Sequence, residues 1–74
     1  MKIKVRLFAT LRDGRGKELE FETDETATVL KILHALEIKL EDIAILLING
    51  RDGSFDTQLS DGNIISLFPP VGGG

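Results

Sequence analysis

The chain has no cysteine, tryptophan or tyrosine, a single histidine and only two prolines. Without cysteine there is no disulfide and no thiolate nucleophile, and most structural zinc sites are excluded. With His34 alone, a multi-histidine metal site cannot be assembled within one chain. Basic residues do not dominate. Nine stand against twelve acidic ones, and the net charge of −3 has the wrong sign for a nucleic-acid or anionic-membrane binder. The continuous apolar run Ile43–Ile48 is far short of the roughly 18 residues that span a bilayer, and no secretory signal pattern opens the sequence. The expectation is a cytoplasmic domain that engages neither nucleic acid nor membrane. Its 74 residues form one domain, and its 42% apolar content builds only a small core.

What is present reads as strands, one helix and an unusual end. Lys2–Phe8 and Glu18–Glu22 both alternate polar and apolar residues, the period of half-buried strands. The stretch between them holds Gly14 and Gly16 and predicts a turn, so the two runs form an antiparallel hairpin. Pairing Leu7 with Leu19 and Val5 with Phe21 also sets Arg6 opposite Glu20 and Lys4 opposite Glu22. Six of the nine bases lie in the first 17 residues. They form either an anion-binding patch or, more simply, the exposed partners of Glu18, Glu20 and Glu22.

Thr28 is an N-cap for a helix of about ten residues whose stripe is Val29, Ile32, Leu33 and Leu36. His34 falls on its polar side, where a lone histidine is solvated far more often than catalytic. A short further turn is expected near Leu40–Asp42. Ile43–Ile48 reads as a central strand closed by Asn49-Gly50, and Ile64–Phe68 as the last strand, ended by Pro69-Pro70. The order predicts an α+β fold, a mixed sheet of four to five strands with one main helix on one face and the first and last strands parallel in the middle. The uncovered face carries Phe8, Ile64 and Phe68, which makes it a candidate partner surface.

No internal residues assemble a nucleophile with a base and an oxyanion site. Three of the eight glycines are the last three residues, and they lack the lysine and following helix of a phosphate loop. The division expected is a folded domain over 1–68 and a flexible, reactive tail over 69–74. Such a glycine-rich end is either an inert disordered terminus or a strand that enters a channel too narrow for any Cβ. In the second case the group it delivers is the α-carboxylate of Gly74.

The whole chain resembles the ubiquitin-like β-grasp sulfur carriers. The resemblance rests on Val5-Arg6-Leu7-Phe8-Ala9 with Leu11-Arg12, the Thr28-Val29 helix start, Ile48-Asn49-Gly50 and Leu59-Ser60-Asp61-Gly62-Asn63. The ending Phe68-Pro69-Pro70-Val71 before the glycines is similar to the MoaD-type small subunit of molybdopterin synthase. ThiS-type carriers for thiazole synthesis share the fold and the Gly-Gly but usually lack the proline pair. Gly72 stands where relatives often have Ala, Ser or Thr, which preserves the small size.

The resemblance implies a non-catalytic co-substrate that binds no cofactor itself. A MoeB-type adenylyltransferase uses ATP and magnesium to adenylate Gly74, and a sulfur donor converts it to a thiocarboxylate. The tail then enters a MoaE-type large subunit, which holds the active site. By position, Gly72 and Gly73 fit the channel, while Phe8, Phe68, Pro69, Pro70 and Val71 dock and aim the tail. The same fold also serves ubiquitin-like modifiers, in which a lysine attacks the activated terminus.

Overall fold

Alternation in Lys2–Leu7 and Glu18–Glu22 produces strands β1 and β2, and the computed structural model describes residues 1–70 of the chain. Ile3, Val5 and Leu7 point into the core and are essentially inaccessible, while Lys2, Lys4 and Arg6 take the other face. The hairpin forms, but two residues away from the expected register. Val5 lies opposite Leu19, Ile3 opposite Phe21, Lys4 opposite Glu20 and Arg6 opposite Glu18. A two-residue shift keeps every side chain on its face, so the hydrophobic pattern does not distinguish the two registers. The connection decides. A 3-10 turn over Ala9–Arg12 buries Leu11 and directs Arg12 Nε onto the Leu7 carbonyl at 2.8 Å, and the chain then returns so that the Leu7 N–H meets the Lys17 carbonyl.

The basic residues divide accordingly. Among the described residues Glu18 alone of the carboxylates forms ion pairs, with Lys4 and Arg6 at 3.4 Å each, and both are exposed enough to be worth under about 1 kcal/mol. Arg12 and Arg15 turn instead to backbone carbonyls. Arg15 reaches across to Leu36 and Glu37.

Helix α1 runs Val29–Leu36, with the Thr28 hydroxyl accepting from the Lys31 N–H. It is shorter than expected because Glu37 adopts a left-handed conformation at φ 58°. The Glu37 N–H bonds to His34, and the Ile38 N–H returns to the Leu33 carbonyl at 3.0 Å. This is a Schellman-type stop, in which Ile38 packs back beside Leu33 in the core. Val29, Ile32 and Leu33 are buried and His34 is exposed, as the stripe predicts. The short turn at Leu40–Asp42 is also present.

Strand β3 covers Ile45–Ile48, so Ile43 and Ala44 precede it rather than belong to it. Asn49 and Gly50, both at positive φ, turn it into the two-residue strand β4, Arg51–Asp52. The last strand, β5, is Ile64–Phe68. The sheet order is β2-β1-β5-β3-β4, with β1 and β5 parallel and β5 at the centre. β3 is thus interior but one place from the middle.

One core joins the inner residues of β1, β3 and β5 to α1 and to Leu59. Each such aliphatic side chain contributes about 1.5–3 kcal/mol relative to exposure. The helix covers one face of the sheet, and the other is left to solvent.

Candidate functional site: the open sheet face and the root of the tail

Alternation along the central strands sends a second set of apolar residues to the uncovered face. From β5 these are Ile64 and Phe68, and from β3 Ile45 and Leu47. Ile45 lies opposite Phe68 across the ladder and is 49% exposed, the largest value for any bulky apolar side chain among the described residues. Phe8, one residue past β1, closes the row. Its ring stacks on that of Phe68 with centroids 4.2 Å apart and planes within 10° of parallel. Such a pair contributes about 0.5–1.5 kcal/mol beyond its buried area.

The same residues hold the backbone where β5 ends. The Phe8 N–H donates to the Leu67 carbonyl at 3.2 Å, and the Ala44 N–H donates to the Phe68 carbonyl at 2.8 Å. The end of β5 is therefore held on both sides, at Leu67 by Phe8 and at Phe68 by Ala44. Pro69 and Pro70 follow at once, and because neither has an N–H, strand pairing stops there. A cleft of about 430 Å³ runs beside this point, between Thr10, Arg15, Asp42 and Pro70.

The structure thus stacks Phe8 on Phe68 on the open face, while Pro69 and Pro70, next in the chain, border a cleft that also involves Leu11 and Ile38 of the core. Val71, Gly72, Gly73 and Gly74 lie outside the described residues. Sequence reasoning used Arg12 only as part of the family pattern and gave it no role at the site; its guanidinium carbon sits 5.4 Å from the Phe8 ring centroid. It also left Ile45 and Leu47 unassigned, although a strand apolar on both sides implies outward-facing members.

A larger cleft, about 600 Å³, is lined by Leu30, His34, Ile38 and Leu40, and shares Ile38 with the cleft beside Pro69 and Pro70. Among the described residues no three His, Asp or Glu side chains are grouped to hold a metal ion, and no helix is long and apolar enough to cross a membrane. Asp24 has its carboxyl held below the usual aspartate range by the Thr26 hydroxyl and the Thr26 N–H, a local turn contact remote from this face.

A mixed five-stranded sheet with one helix on one face, ending in a strand that leads to a glycine-rich end, is the layout of the ubiquitin-like domains. The chain belongs to the ThiS family, whose model matches residues 5–74. It is 35% identical to small archaeal modifier protein 3 of Haloferax volcanii, over the full length of both chains. Among solved structures it is similar to SAMP1 of Haloferax volcanii, with a TM-score of 0.83, 27% identity and full coverage of both chains. It is also similar to molybdopterin converting factor subunit 1 of Pyrococcus furiosus, with a TM-score of 0.76, 30% identity, and 96% and 99% of the two chains covered. A further match is a chain of the complex between subunits 1 and 2 of the molybdopterin-converting factor of Helicobacter pylori, with a TM-score of 0.65, 25% identity and full coverage of both chains. The fold is the ubiquitin-like β-grasp.

Proposed function

We propose that this chain is a sulfur carrier that serves as the small subunit of a molybdopterin synthase. The observation that carries the reading is the family match running through residue 74, so that the Gly-Gly-Gly end belongs to the matched pattern. The structural likeness to a molybdopterin converting factor subunit 1, and to a chain in complex with subunit 2, supports a larger subunit as partner.

The chemistry follows from the terminal carboxylate. It is a poor electrophile because its leaving group would be oxide. Attack of a Gly74 oxygen on the α-phosphorus of ATP, with magnesium in the activating enzyme, expels pyrophosphate and forms an acyl-adenylate. A sulfide-level nucleophile then displaces AMP and leaves a thiocarboxylate. Gly72 and Gly73 keep that end free of side chains, so it enters a channel closed to any Cβ. Phe8, Phe68 and the Pro69-Pro70 pair fix where the tail starts. On this reading Val71 also contacts the partner. The catalytic groups belong to the partners, and the chain itself is consumed and regenerated.

A second reading is favoured by the full-length similarity to a small archaeal modifier protein. There a lysine amine of a target protein displaces AMP and forms an isopeptide bond. Incubating the chain with an adenylyltransferase of the ubiquitin-activating kind, ATP, magnesium and a sulfur donor separates the two by intact mass. An oxygen-for-sulfur exchange supports the carrier. Lysine adducts in cell extract without that exchange support the modifier, and an unreactive chain overturns both.

A further inference from the structure

We propose that Arg12 is the charged anchor of the open sheet face and that the protein covering this face presents an aspartate or glutamate to it. The inference rests on the reading that a larger subunit covers the face.

Two contacts hold the side chain in one orientation, and a third fixes the ring it lies against. Arg12 Nε donates to the Leu7 carbonyl at 2.8 Å, the guanidinium carbon lies 5.4 Å from the Phe8 ring centroid, and Phe8 is itself stacked on Phe68. With Nε committed, the two Nη groups form the remaining donor edge, and a guanidinium offers such an edge to a carboxylate as a planar fork. Lys4 and Arg6, on the same face, already share Glu18. Among the described residues no carboxylate lies within ion-pair distance of Arg12.

The position matters because the apolar patch begins beside it. A partner surface laid over Phe8, Phe68 and Ile45 removes water from the half-buried guanidinium as well. An apolar partner with nothing to offer there would bury an uncompensated charge, which opposes binding. A carboxylate at that point converts the cost into a charge-assisted contact. Because Arg12 is already oriented, little side-chain entropy is lost when it forms. An arginine beside stacked aromatics is also the composition of residues that dominate interface energetics.

The test measures binding of the full chain to the large synthase subunit of the organism that makes it, at low and high salt. Arg12→Ala should weaken binding about 30-fold or more, Arg12→Glu further, and Arg12→Lys by an intermediate amount. The salt dependence of the dissociation constant should shrink in Arg12→Ala, which a purely structural role would not produce. Melting temperatures identify any variant that fails to fold. NMR of the Arg12 Nη protons in the wild-type complex needs no variant, and carboxylate pairing there should slow guanidinium rotation. Unchanged affinity and salt dependence in Arg12→Ala, with Phe68→Asp abolishing binding, would overturn the role of Arg12 and leave the partner reading intact. A wild-type chain that does not bind the large subunit would overturn both.

Discussion

Phe8, one residue past β1, and Phe68, the last residue of the parallel strand β5, stack with ring centroids 4.2 Å apart on the face away from the core, and Pro69 follows Phe68 at once. Their contact contributes to stability and also fixes the departure point of the tail. A double-mutant cycle of Phe8→Ala and Phe68→Ala, followed by urea unfolding, should return a coupling of about 0.5–1.5 kcal/mol. Additive losses would mean that the rings do not interact in solution.

Arg15 binds three carbonyls, those of Leu11, Leu36 and Glu37, and so joins the β1–β2 connection to the C-terminal end of α1. Its charge lies at the negative pole of the helix. Arg15→Met keeps much of the aliphatic stem and should lower stability by about 1–2 kcal/mol, with Arg15→Lys recovering part. A loss within error in Arg15→Met would remove the cap.

Glu37 occupies a left-handed conformation that an L side chain adopts at a cost of about 1 kcal/mol. Its bond to Arg15 uses the backbone carbonyl, which a glycine retains. Glu37→Gly should therefore raise the urea midpoint or leave it nearly unchanged, whereas Glu37→Val should lower it. A marked loss in Glu37→Gly would contradict the described stop.

Asp24 accepts the Thr26 hydroxyl and N–H, and these bonds lower its pKa from an ordinary value of 3.8. A lowered folded pKa stabilises above the unfolded value and is lost as pH falls through the folded one. Asp24→Asn should therefore cost a small amount at neutral pH, and the difference from wild type should shrink in acid as the pH falls through the folded pKa. An equal difference at both pH values, measured by urea unfolding, would mean that the charge plays no part.

The elements and the faces were legible because period-2 and period-3.6 patterns report burial directly, as in Ile3-Val5-Leu7 and Val29-Ile32-Leu33. The hairpin register was not. Leu7 fits opposite Leu19 as well by polarity as Val5 does, and the deciding contacts, Leu11 buried in a 3-10 turn and Arg12 on the Leu7 carbonyl, are tertiary. The helix end was misplaced because no glycine marks it, the left-handed residue being Glu37. At the candidate site, Phe8 and Phe68 were found from alternation. Arg12 was not, since its place over the Phe8 ring depends on the path of the connecting turn.

The central claim is that the reactive atom is added to the carboxylate of Gly74. Deleting Gly74, or adding one residue after it, should abolish activation and leave the melting temperature unchanged. The most direct measurement is tandem mass spectrometry of the C-terminal peptide after reaction with the activating enzyme, ATP, magnesium and a sulfur donor. The account predicts one oxygen-for-sulfur exchange confined to the Gly74 carboxyl. Sulfur on any internal residue, or an extended chain thiolated at its new end, would contradict it.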